Sequence, residues 1–296
     1  MPAPVPALRP RRALQRSAAR LGIYAFLLTT ALFFLAPLYV MLVTSFKTMD
    51  EIRAGQLFAL PAAPTLEPWR VAWSEVCAGV SCEGIRVGFW NSVAIVVPST
   101  VLPIAIGALN GYALSLWRPR GAEWLFGVLL LGAFIPVQVM IYPLVKLLAA
   151  LGLFSSLPGI VAVHTVFSMP VMTLLFRNHF LAVPVELFKA ARVDGAGFWR
   201  IFGQLMLPLA TPMIVVAAIM QLTGVWNDYV LGLVFAGHEQ QPMTVQLNNV
   251  INTTTGERQY NVNMAATILT SLVPLAVYFL SGRWFLRGIA AGAVKG

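Results

Sequence analysis

Charged side chains are spaced so widely along this chain that its hydrophobic pattern is one of long unbroken runs. Six windows free of Asp, Glu, Lys and Arg cover residues 21–46, 87–117, 124–145, 147–176, 201–227 and 259–282. A helix rising ~1.5 Å per residue needs about 20 apolar residues to cross a ~30 Å hydrocarbon core. Each window holds such a stretch, although the fourth also contains a Gly/Ser/Pro turn at 152–159. The pattern therefore predicts an all-α polytopic membrane protein with six transmembrane helices. It does not suit an outer-membrane barrel, whose strands alternate over about 10 residues. The first run follows a basic arm, as in a secretory signal. Its 26 uncharged residues exceed the ~7–15 of a signal's apolar region, which predicts an uncleaved first span.

Composition agrees. Of 296 residues, 58% are hydrophobic and 10% charged, against about 25% charged in soluble domains. A soluble enzyme, a disordered linker protein and a disulfide-stapled secreted domain are excluded on this count. The net charge of +9 raises nucleic acid as a partner, but its placement argues otherwise. Arg9, Arg11, Arg12, Arg16, Arg20, Arg118, Arg120, Arg177, Lys189, Arg192, Arg200, Arg283, Arg287 and Lys295 fall on the side that holds both termini. Lys47, Arg53, Arg70, Arg86, Lys146 and Arg258 fall on the other. That asymmetry is a topology signal: both termini are expected in the cytoplasm, and no nucleic acid is expected as partner.

The expected organisation is a cytoplasmic arm (1–20), a six-span transmembrane domain (21–288) and a cytoplasmic tail (289–296). An external loop at 47–86 carries three prolines, two tryptophans and both cysteines, Cys77 and Cys82. A disulfide is open to that pair in an oxidising periplasm, and two free thiols are the alternative. A second external loop spans 236–263. Between spans 4 and 5 lies a longer cytoplasmic segment, 177–208. There Pro184 suits a helix start, and Glu186 complements the helix N-terminus. Lys189, Ala190, Ala191 and Arg192 form a short amphipathic helix with a small face, and Asp194-Gly195 ends it. A second helix is expected over 198–207, meeting Pro208 at the entrance to span 5. Two such surface helices suit docking better than chemistry.

The string Lys189-Ala190-Ala191-x-x-Asp194-Gly195-Ala196, followed at the family distance by Leu207-Pro208, resembles the EAA loop of bacterial ABC importer permeases. Lys189 stands where that family usually has Glu. Trp226-Asn227-Asp228-Tyr229 and the Gly-rich tail ending in Val294-Lys295-Gly296 resemble features of maltose-type carbohydrate permeases. The string over 188–199 resembles glucose/mannose-type members most. The resemblance implies a multi-pass subunit of the bacterial inner membrane that shares the type I importer fold. Its partners would be a second homologous permease, two copies of a cytoplasmic ATPase holding ATP and Mg, an external sugar-binding protein, the sugar and membrane lipid. The tail would reach the interface between the ATPase subunits. Either Glu186 supplies the carboxylate missing at 189, or the partner's groove has changed to suit Lys189.

This chain has no phosphate-cradling Gly-x-x-x-x-Gly-Lys-Ser/Thr motif, nucleophile–base pair or metal-ligand cluster, so neither catalysis nor a cofactor of its own is expected. Trp226, Asn227, Asp228 and Tyr229 have two readings, as a gate or sugar-facing cluster and as an interfacial anchor. Gln138, Met169 and His164 are weaker candidates for the substrate path, and Pro136 and Pro170 are expected to kink their spans around it. The rival function is a self-contained, ion-driven secondary transporter or channel. It calls for buried carboxylates that the six windows lack, and few deep polar residues are expected in those windows. A polytopic membrane enzyme would need catalytic groups that are missing here.

Overall fold

The computed structural model describes the backbone of residues 10–79, 82–252 and 257–293, and the side chains of 19–79, 82–252 and 257–282. Helix α1 (Pro10–Thr44) starts inside the segment expected as an arm, and its membrane-crossing part is Ala19–Thr44. Short α2 (Met49–Arg53) and α3 (Glu67–Ser74) form the external cap, and Cys77 and Cys82 are joined in a disulfide. Then come α4 (Arg86–Tyr112), α5 (Ala122–Ala133), α6 (Val137–Ala150) and α7 (Leu157–Leu181). The cytoplasmic segment contributes α8 (Val185–Val193), α9 (Phe198–Ile201) and α10 (Leu207–Leu209). Last are α11 (Thr211–Asn227), α12 (Val230–Phe235), α13 (Met243–Ile251) and α14 (Tyr260–Ala293).

Among the described residues, four helices are long and apolar enough to cross a membrane singly, and two bent pairs can each supply a further span. The α5–α6 pair turns by 103° and the α9/α10–α11 pair by 74°. Both breaks have a covalent cause. Pro136 caps α6 and disfavours a helical residue before it. Pro212, in the first turn of α11, has no N–H to continue α10. The carbonyl of Pro208 instead accepts from the Thr211 hydroxyl at 2.8 Å. The helix expected over 198–207 is likewise interrupted by a π-turn at Phe202–Met206. At the other end, α14 runs on through Ala-rich 289–293, most of the expected tail, consistent with alanine's helix propensity. Val294, Lys295 and Gly296 lie outside the described residues.

Packing centres on α4 against α7. Gly107 and Gly111 sit one turn apart on α4, where a Cβ would come within 2.5 Å of Met172 Cβ and 2.6 Å of the Arg177 backbone nitrogen. Small residues at this spacing let two membrane helices approach closely. On the cytoplasmic side of this contact Tyr112, Phe176, Phe180, Ile201 and Met206 form one core. On the external side Ile85, Ile160, Trp226, Phe235 and Met243 form another. The start of α5 is tied to α7 by Arg177, whose Nη2 donates to Glu123 at 2.8 Å while its guanidinium lies 4.2 Å above the Phe126 ring.

Candidate functional site: the cytoplasmic docking segment and the external end of span 5

Helix α8 begins after Pro184 and ends at Asp194, with Gly195 at φ +78. The Gly195 and Ala196 amides donate to the carbonyls of Arg192 and Ala191. Glu186, Lys189, Ala190 and Val193 follow i, i+3, i+4, i+7 spacing and are all exposed, Val193 at 87%; that spacing places them on one stripe. The opposite side points inward. Phe188 meets Trp117 edge-on at 5.7 Å, and Arg192 lies 4.6 Å above the same ring. Phe198 packs on Trp117 at 5.3 Å and on Tyr112 at 4.8 Å, and Tyr112 Oη donates to the Phe198 carbonyl at 3.1 Å.

Tyr112 and Trp117 belong to α4 and the π-turn that ends it, Ala113–Trp117. Helix α8 therefore stands on an aromatic platform continuous with a membrane span. This platform was not among the sequence candidates; the available signal was aromatic density at both ends of the loop, Trp117 before it and Phe198 and Phe202 within it. A β-branched residue at 195 cannot adopt the left-handed backbone without a cost of at least ~1–2 kcal/mol. Gly195→Val is therefore expected to misplace α9 relative to α8. Limited trypsin digestion in mild detergent should then cut the variant faster at Arg192 or Arg200 than the unsubstituted protein.

At the external end of span 5 the four motif residues have different surroundings. Trp226 is 2% exposed, its Nε1 donates to the Thr270 carbonyl at 3.0 Å, and its ring meets Phe89 edge-on. Its ring faces are packed, so in this structure it offers no stacking surface to a sugar. Asp228 caps α11 and is half-buried; its Oδ2 accepts from the Gly232 amide at 3.0 Å and lies 3.9 Å from His164 Nε2. Asn227 is exposed and Tyr229 half-buried. Gln138 is exposed in the first turn of α6. Met169 is separate from both, beside Pro170 on a ≈ 300 Å³ apolar crevice between the bent third span and α7.

The expectation that the spans lack deep polar groups is corrected. Gln221 is buried in α11, and its Nε2 donates to the Ser99 carbonyl of α4 at 2.9 Å and to the Ser168 hydroxyl of α7. One neutral amide thus links three spans. A search for charges passes over such a group.

Known proteins resemble this chain in sequence and fold. The family model described as binding-protein-dependent transport system inner membrane component matches residues 104–291, which include the whole docking segment. The osmoprotective compounds uptake permease protein GgtD of Synechocystis sp. is 37% identical over 215 residues, 72% of each chain. The alpha-glucoside transport system permease protein AglG of Rhizobium meliloti is 34% identical over 262 residues, 86% of this chain and 67% of that one. The fold is shared with a chain of a bacterial ABC transporter involved in import of the acidic polysaccharide alginate. The TM-score is 0.71 at 20% identity, over 95% of this chain and 99% of the other.

Proposed function

Because the chain belongs to the family of binding-protein-dependent transport system inner membrane components, we propose that its cargo is a sugar, a mono- or oligosaccharide delivered by an external solute-binding protein. The chain is the membrane-spanning permease subunit of an ABC importer, multi-pass in the inner membrane. It is a transport subunit, and ATP hydrolysis belongs to a separate partner. In the proposed assembly a second, homologous permease completes the pathway, and two ATPase copies loaded with ATP and Mg dock below. Sugar as cargo is supported by the alpha-glucoside relative and by the motif Trp226–Tyr229; the string over 188–199 favours a glucose- or mannose-like compound.

The observation that carries the coupling role is that α8 exposes its stripe while its opposite side packs through Phe188 and Arg192 on Trp117, which itself meets Tyr112 and Phe198. ATPase closure that moves α8 must also move α4 through these rings. Through the α4–α7 contact and Gln221 the displacement reaches α7 and α11. Such coupling needs each ligand to favour a different global state. The cargo is tested by ATP hydrolysis of the reconstituted assembly with its binding protein loaded with glucosides, mannosides or osmoprotective solutes. Stimulation by a glucoside or mannoside supports the reading, and stimulation by non-sugar solutes alone overturns it.

Glu186 lies one turn before Lys189 on the exposed stripe and is the carboxylate proposed to face the ATPase. Glu186→Lys is therefore expected to weaken ATPase retention, with the losses growing as salt is lowered. Unchanged coupling in this variant would transfer the ionic contact to Lys189 and an acidic groove in the partner.

A further inference from the structure

The external cap contains an apolar tip that the transport cycle described above does not use. Residues 54–64 carry no charge, and within them Leu57, Phe58 and Leu60 are exposed, the last two at 64% and 72%. The tip does not project away from the membrane. Tyr39 Oη donates to the Phe58 carbonyl at 3.0 Å, and Tyr39 precedes the end of α1 at Thr44 by five residues, which is ~7.5 Å along a helix axis. Phe58 is thus held beside the last turns of a span whose neighbouring surface, Leu35, Leu38 and Leu42, is also apolar and exposed.

The tip is held at both ends. Buried Lys47 donates from Nζ to the Gln56 carbonyl at 2.7 Å. Glu51 Oε1 accepts from the amides of Ala62 and Ala63 at 2.8 and 3.2 Å. Glu51 itself is fixed by the capping box of α2 with Thr48. Charged Asp50, Glu51 and Arg53 therefore flank an apolar, pre-shaped tip. Charged groups beside an exposed aromatic and aliphatic cluster suit an interfacial membrane anchor, which keeps the former at headgroup level and the latter below.

We propose that residues 57–60 insert among the acyl chains of the external leaflet and anchor the cap to the bilayer. The surface is continuous with the apolar face of α1, and its occupant is lipid. The inference rests on the six-span topology but not on the nature of the cargo.

The test uses the assembled importer in liposomes, with an environment-sensitive fluorophore on Phe58→Cys or, as a reference, on Asp50→Cys; Cys77 and Cys82 are joined and do not label. The Asp50 side chain is 93% exposed. The label at 58 is expected to emit at shorter wavelength and to be quenched by nitroxides on lipid tails, while the label at 50 is quenched by aqueous iodide. Iodide quenching at 58 equal to that at 50 would overturn the proposal. So would shielding of 58 from both quenchers, because protein and not lipid would then cover the tip.

Discussion

Trp117→Ala is expected to abolish most sugar uptake while ATPase subunits still co-purify and still hydrolyse ATP at a basal rate. The indole is in contact with Phe188, Phe198, Tyr112 and Arg192 at once. Aromatic pairs contribute about 0.5–1.5 kcal/mol each beyond area burial, and an exposed cation–π contact about 0.5–1. Even with strong non-additivity, removing the ring should loosen α8 on its platform by ~2 kcal/mol, roughly a 30-fold shift in the seated population. The exposed stripe at Glu186, Lys189, Ala190 and Val193 is untouched, so docking should survive while transmission fails. Measuring uptake and hydrolysis on the same proteoliposomes separates the two. Loss of bound ATPase in this variant would mean that the platform shapes the docking surface instead of transmitting its motion.

Gly111→Leu is expected to leave little or no assembled importer. A Cβ there already meets the Arg177 backbone nitrogen and Phe176 inside van der Waals distance. Backbone cannot yield as a flexible side-chain tip can, so α4 and α7 must separate. Overpacking alone typically costs ~1–3 kcal/mol. Here separation would also pull apart Ser99 of α4 and Ser168 of α7, the two groups that Gln221 bridges. Detergent-solubilised variant should unfold at lower temperature or fail to accumulate, as followed by size-exclusion fluorescence. Gly111→Ala is the milder comparison and should fall between the two. A fully stable leucine variant would show that the α4–α7 contact does not set the packing.

The spans were legible because a run of about twenty uncharged, apolar residues is the length a bilayer core demands and is rare in soluble helices. Asp194-Gly195 was legible because a left-handed turn after an amphipathic helix calls for glycine. The bend at Pro136 was expected from the proline itself; the one at Pro212 was not, because the pattern of apolar residues continues through it and only the missing N–H marks the break. Gln221 escaped because it is neutral. By residue type Trp226 is a surface that can stack on sugar, yet burial against Phe89 and the bond to Thr270 decide its place, and both partners are far away in sequence. The platform under α8 escaped for the same reason, since Trp117 and Phe198 meet only after α5, α6 and α7 have intervened. Whether Cys77 and Cys82 pair depends on the turn between α3 and α4, which composition leaves open.

The most direct test of the central claim is uptake of labelled sugar into liposomes. It compares the complete assembly with binding protein and ATP against this chain purified alone under an imposed ion gradient. Uptake only by the complete assembly, abolished without ATP, is the expected result. Solute movement by the isolated chain without ATP would contradict it and restore the ion-driven transporter.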